Sequence, residues 1–166
     1  MKVYFGASMF SEKDLTFNAS LAKKIREKCK GIDLYLPQEN TSINDKSLCA
    51  DSIMIFDADT KRLEDADVLF CPLDEDLGLA CEIGYFASLA KLNPSKIIIA
   101  IYSDSRDGSL PHSLEKEKLL QERIAESQFS YLNLYLVGAV KKYGKIYRNS
   151  DEAIEALKNL YLNCKN

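Results

Sequence analysis

The stretch Asp74-Glu75-Asp76-Leu77-Gly78-Leu79-Ala80-Cys81-Glu82-Ile83-Gly84-Tyr85 holds the densest group of residues in the chain able to do chemistry. A strand signal, Val68-Leu69-Phe70-Cys71, precedes it and stops at Pro72; a helix signal runs from Gly78 to Leu92. Glu82 therefore falls just over one turn into a helix that starts at a strand's carboxyl edge. A carboxylate there feels the positive end of the helix dipole, which favours its ionised form. Its neighbours Ala80, Cys81, Ile83 and Gly84 are uncharged and small or apolar, so another molecule can approach closely. Gly78 and Gly84 each cost a helix interior about 1 kcal/mol, which makes packing or close approach their reason. From spacing alone, a solvated glutamate at a helix start is the more ordinary reading of Glu82.

Other segments carry weaker signals. Asp57-Ala58-Asp59 is a pair of acids that more often marks an exposed helix face. Tyr4 sits on the first strand just ahead of Phe5-Gly6, where a tyrosine is more often core. His112 is the one histidine; it follows Pro111 in a polar loop, which points to the surface and leaves a metal site without a second imidazole. The first loop holds a single glycine, Gly6, and makes neither G-x-G-x-x-G nor a P-loop, so dinucleotide and triphosphate binding are poorly supported. The five cysteines, Cys29, Cys49, Cys71, Cys81 and Cys164, contain no C-x-x-C, and their odd count speaks against a disulfide framework. Cys71 and Cys81 lie among apolar residues and are expected in the core.

The elements that must position these residues alternate between strand and helix. Lys2 to Phe5 reads as a buried strand, and Ser11 to Lys30 as an amphipathic helix with Leu15, Ala19, Leu21, Ala22 and Ile25 inward. Gly31 stands where a helix-ending residue belongs. Ile32 to Leu36 is the second strand, Asn44 to Asp65 a helix, Val68 to Cys71 the third strand and Gly78 to Leu92 the next helix. Lys96 to Tyr102 is an isoleucine-rich run of the kind buried on both faces. Ser113 to Lys142 is helical, in one or two pieces; Lys145 to Tyr147 is the last strand, and Ser150 caps a final helix ending near Cys164. The expected fold is a doubly wound α/β domain over residues 1–166, with five parallel strands in flavodoxin-like order. Ligands of such sheets bind at the strands' carboxyl ends, which Gly6-Ala7-Ser8, the Asp74–Gly78 loop and the loop after Tyr102 all reach.

Bulk properties narrow the partners. With 166 residues, 46% hydrophobic and 28% charged, the chain has enough core for one domain. A net charge of −3 and a pI near 5.3 argue against a nucleic-acid partner, whose phosphates demand a basic surface. No stretch of about 18 apolar residues occurs, so no membrane span is expected. The chain opens directly into Val3-Tyr4-Phe5 without a leader pattern, and a reducing cytoplasm is the expected compartment.

Taken together the segments resemble the nucleoside 2-deoxyribosyltransferase family. The matching pieces are Tyr4-Phe5-Gly6-Ala7 with Phe10, Asp59 eight residues ahead of Asp67-Val68, the block Asp76 to Tyr85, and Asn133-Leu134-Tyr135. The pattern D-x-G-x-x-x-E-[IL]-G is specific when it follows a strand. The resemblance implies that Glu82 is the nucleophile, that Tyr4 holds it, and that Asp59 and Asp76 contact the base. It places Gly6, Phe10, Gly78 and Tyr135 around the substrate, Tyr135 standing where a methionine is usual. It also implies that Asn133 reaches the 5′ side of the sugar in a neighbouring subunit, hence a homo-oligomer, a dimer or a trimer of dimers. The partly apolar run Phe129 to Val140 is costly to leave in water, and burying it gains about 25 cal/mol per Å2, whether against a partner or within its own subunit.

The implied reaction moves a 2-deoxyribosyl group from a 2′-deoxynucleoside to a free nucleobase through a covalent glutamate intermediate, with slow hydrolysis when no acceptor is present. The oxocarbenium-like transition state is that of retaining glycosidases, and no metal or organic cofactor is required. Asp59 and Asp76 share the proton for the departing base if their proximity raises one of them. A rival is a 2′-deoxynucleoside 5′-monophosphate N-hydrolase. Such enzymes carry a serine where this chain has Asp76, and an aspartate there repels a phosphate. Ser8 keeps that rival open, because a first-loop hydroxyl can meet a phosphate. A non-catalytic nucleotide-binding module on the same fold is the alternative from another class.

Overall fold

The computed structural model describes residues 1–45, 47, 49–103 and 132–164. Strand β1 (Lys2–Phe5) leads into helix α1 (Glu12–Lys28), strand β2 (Asp33–Tyr35), a 3-10 turn (Pro37–Glu39), helix α2 (Thr41–Asn44) and helix α3 (Ser52–Asp65). Strand β3 (Val68–Pro72), helix α4 (Leu77–Leu92), strand β4 (Ile97–Ile101), helix α5 (Leu134–Tyr143), strand β5 (Gly144–Tyr147) and helix α6 (Ser150–Asn163) follow. The strands form one sheet of order β2-β1-β3-β4-β5, and every neighbouring pair is parallel. This is the flavodoxin-like order, with the chain reversing direction across the sheet between β1 and β3.

Alternation along the strands feeds two separate cores. Val3, Phe5, Phe70, Ile99 and Ile101 pack with Leu21 and Ile25 of α1 and Ile154 and Leu157 of α6. Tyr4, Leu69, Cys71, Ile98 and Ala100 point the other way, to Leu63 of α3, Leu79, Ile83 and Phe86 of α4, and Val140 of α5. The run at β4 is apolar on both sides because both faces of the sheet are covered. At Gly144 the two strands come so close that a Cβ would sit 1.8 Å from the Ile98 carbonyl oxygen.

Several boundaries differ from the expectation for local reasons. Asn44 to Asp65 is not one helix. Asn40 caps α2 by accepting from the Ser42 N–H, and Asp51 starts a separate helix by accepting from the Met54 N–H. Pro37 begins a 3-10 turn, so β2 stops at Tyr35. The cap of α6 is Asn149, whose side chain accepts from the Glu152 N–H; Ser150 is the first helical residue. Ser11 forms a capping box with Asp14, so α1 begins at Glu12. Leu15 and Ala19 of α1 are exposed, and Asn18 is buried in their stead. Its amide donates to the Ser8 carbonyl at 2.9 Å and to Gln38 Oε1 at 3.1 Å, which makes burial of a polar side chain tolerable. Cys81 is exposed on α4, whereas Cys71 is buried. The loop after Tyr102, His112 and most of the expected helix Ser113–Lys142 lie outside the described residues; α5 begins at Leu134.

Candidate active site

The site is assembled where β1 and β3 run side by side. Strand alternation turns Tyr4 onto the α4 face, fully buried, with its hydroxyl donating to Glu82 Oε1 at 2.6 Å. Core tyrosine and carboxylate partner are thus the same residue. Gly6 follows at the end of β1, tied by its N–H to the Phe70 carbonyl at 3.1 Å. A Cβ on Gly6 would lie 2.7 Å from Glu82 Oε2 and 3.0 Å from Leu79 Cδ1, so a side chain there would displace the Glu82 carboxylate. After β3, Asp76 caps α4, its Oδ1 accepting from the Leu79 N–H at 2.7 Å. That cap starts the helix at Leu77 and sets the turn that delivers Glu82. Gly78 packs beside the cap, where a Cβ would stand 3.1 Å from Asp76 Oδ1.

A second carboxylate joins from α3. Asp59 is half-buried, while Asp57 is exposed. The Tyr35 hydroxyl donates to Asp59 Oδ1 at 2.8 Å and accepts from Asn40 Nδ2 at 3.0 Å. Tyr35 is the register partner of Tyr4 on the neighbouring strand, and their ring centroids are 5.4 Å apart at 43°. The Arg62 guanidinium covers the Tyr35 ring, 4.9 Å from its centroid.

Electrostatics oppose ready ionisation. Burial pushes the Glu82 carboxyl up to about 7; the Tyr4 hydrogen bond pulls it down, and the charges of Asp59 and Asp76 push it up further. The expected help from the helix dipole is outweighed. Burial also raises Asp59, against the Tyr35 hydrogen bond, so the lift comes from desolvation, not from an acid neighbour. Tyr4 is held firmly neutral by burial and by the nearby Glu82.

Helix α4 has two working edges. Glu82 and Tyr85 face α3, to which Tyr85 is fastened by its hydroxyl on Glu64 Oε1 at 2.6 Å. Asp76, Ala80 and Gly84 line a cleft of about 580 Å3 on the opposite edge, closed by Asn133, Tyr135 and Leu136. Asn133 caps α5, its side chain accepting from the Tyr135 N–H at 2.9 Å. Tyr4, Gly6, Asp59 and Glu82 are therefore brought together, with Asp76 at the start of the same helix. Asn133 and Tyr135 line a cleft that does not include Glu82, and Phe10 stands in solvent, 83% exposed. Among the described residues, no group of three or more His, Cys, Asp or Glu side chains is placed to hold a metal ion.

The family model for nucleoside 2-deoxyribosyltransferases matches residues 3–134, which span every one of these carboxylates. The chain belongs to that family. It is an enzyme family. Among solved structures, a conserved protein from Enterococcus faecalis V583 is 40% identical over 95% of this chain and 97% of its own, with a TM-score of 0.78. A 2-deoxyribosyltransferase from Leishmania mexicana superposes with a TM-score of 0.60 at 16% identity, over 95% of this chain and 97% of that one. A 2-deoxyribosyltransferase from Bacillus psychrosaccharolyticus gives 0.58 at 15% identity, over 93% and 90%. At those identities the last two likenesses show the fold. No curated protein matches the chain.

Sequence reasoning did not find Tyr35, Asn40 or Arg62. The available signal was the position of Tyr35 on β2, one strand across from Tyr4, in a Tyr-Leu-Pro run that ends the strand as Phe-Gly ends β1.

Proposed function

We propose that this enzyme transfers a 2-deoxyribosyl group from a free 2′-deoxynucleoside to a second nucleobase, with Glu82 as the nucleophile. The observation that carries the reading is the hydrogen bond by which the buried Tyr4 hydroxyl holds Glu82 Oε1 at 2.6 Å. One carboxylate oxygen is held by Tyr4, and the other lies against Gly6, where a Cβ would stand 2.7 Å from it.

In the first step the Glu82 carboxylate forms a bond to C1′ as the C1′–N bond breaks. The base leaves with the electron pair and takes a proton from the protonated form of Asp59, the form that burial favours. In the second step the nitrogen of an acceptor base attacks C1′, the C1′–O bond breaks, and Glu82 leaves as carboxylate while Asp59 recovers a proton. Two inversions restore the β configuration. Water in place of the acceptor base gives slow hydrolysis. The charge of Asp76, felt at Glu82, favours a substrate without a 5′-phosphate. Asn133 belongs to a face of the subunit that Glu82 does not share, which supports its service in a neighbouring subunit's site.

Incubating the protein with deoxyinosine and free adenine tests the reading: deoxyadenosine and hypoxanthine should accumulate together, and Glu82→Ala should lower that rate by at least about a thousandfold. Faster cleavage of deoxyinosine 5′-monophosphate than of deoxyinosine would replace the assignment with the monophosphate hydrolase. Near-normal exchange by Glu82→Ala would remove the nucleophile.

A further inference from the structure

The nucleophile has a tyrosine that holds it, and the second carboxylate has one too. Tyr4 and Tyr35 are cross-strand neighbours; one gives its hydroxyl proton to Glu82 and the other to Asp59. We propose that Tyr35, with its direction of donation set by Asn40, is a positioning residue that keeps Asp59 Oδ1 free of a proton and makes Oδ2 the oxygen that trades a proton with the base. The inference rests on the reading that Asp59 serves the base.

The direction follows from counting donors. Asn40 Oδ1 accepts from the Ser42 N–H at 3.2 Å and the Ser42 hydroxyl at 2.6 Å, in its role as the α2 cap. Its oxygen end is thereby committed, and its NH2 end is the one that faces Tyr35 Oη at 3.0 Å. A phenol owns one proton. With Asn40 donating into the phenol oxygen, that proton remains for Asp59 Oδ1 at 2.8 Å. A proton on Oδ1 would then meet the phenol hydrogen head-on, so a neutral Asp59 carries its proton on Oδ2.

The Tyr35 ring cannot easily turn away from this task. The Tyr4 ring contacts it from β1, and the Arg62 guanidinium covers it from α3. Besides burial and each other, the groups acting on the Tyr35–Asp59 pair are Asn40, ahead of α2, and Arg62 on the helix that carries Asp59 itself, while Asp59 in turn acts on Glu82 from α4 and Tyr4 from β1. Burial raises Asp59 and the Tyr35 bond lowers it, so loss of the phenol proton leaves only the upward push.

The test pairs a titration with a mutant cycle on the full chain. With aspartate carboxyls labelled by 13C, the Asp59 signal should titrate at higher pH in Tyr35→Phe than in the unaltered protein, and shift in the same direction, by less, in Asn40→Ala. Tyr35→Phe should lower kcat for deoxyinosine cleavage by about tenfold to a hundredfold, the range for a hydrogen bond to a charged group. In an Asp59→Ala background the same change should cost nothing further, because Tyr35 acts through Asp59. An Asp59 midpoint that does not move in Tyr35→Phe would overturn the proposal, as would a rate loss of equal size with Asp59 absent. If the unaltered protein exchanges no bases, the functional reading fails, and the titration alone still decides whether Tyr35 holds Asp59.

Discussion

In the proposed reaction Glu82 is a residue spoiled as a surface acid to become useful as a nucleophile. In water a glutamate ionises near 4.3 and is well solvated. Here desolvation lifts it to about 7, so near neutral pH it sits close to half-ionised and carries little water to shed. Tyr4 works against that lift with its one hydrogen bond. The sign of the pH dependence follows. Attack needs the ionised form, so deoxynucleoside cleavage should rise as pH climbs through about 7. Tyr4→Phe removes the lowering influence and should move this limb to higher pH, with a loss of at least about tenfold at pH 6 that shrinks toward pH 9. Rates of single-turnover cleavage across pH check it; a limb that stays put would mean that Tyr4 does not set the acidity of Glu82.

At the scale of elements, helix α4 carries Glu82 on one edge and lines the Asn133 cleft along the other. A subunit packed on the second edge would carry its own Asn133 face to a neighbour. Mixing Glu82→Ala subunits with Asn133→Ala subunits should then restore part of the exchange activity, because a hybrid pairs one intact Glu82 with one intact Asn133. Inactive mixtures, with subunit exchange demonstrated, would return Asn133 to its own chain or to no site. What was legible here tracks how local the determinant is. The Asp76 cap, Gly78 and Glu82 lie within seven residues of one another, and their spacing survives into the helix unchanged. The cap that divides α2 from α3 was also local, Asp51 before Ser52, but the weak apolar pattern around it masked the break. Tyr35 was not legible, because its role depends on the β1–β2 register and on Asn40's prior commitment to a cap. The apolar run Phe129 to Val140 resolves, in its described part, into exposed Leu134 and Tyr135 and buried Val140.

Across the whole molecule, the sheet order places Tyr4 beside the switch point and Tyr35 one strand away from it, on strands of unequal standing. Among the described residues no helix is long and apolar enough to cross a membrane, and the sheet is the frame on which everything else hangs. Strand β1 is paired on both sides, by β2 and β3, whereas β2 is a three-residue edge strand with β1 as its one neighbour. Edge strands open at lower free energy than central ones. Backbone amides of Tyr4 and Phe5 should therefore exchange with deuterium much more slowly than those of Leu34 and Tyr35, a difference readable by mass spectrometry or NMR. Equal protection would deny it. The two carboxylates then live at different tempos. In the proposed reaction the carboxylate that attacks C1′ is held from a strand paired on both sides, and the one that serves whichever base arrives is held from an edge strand that can breathe.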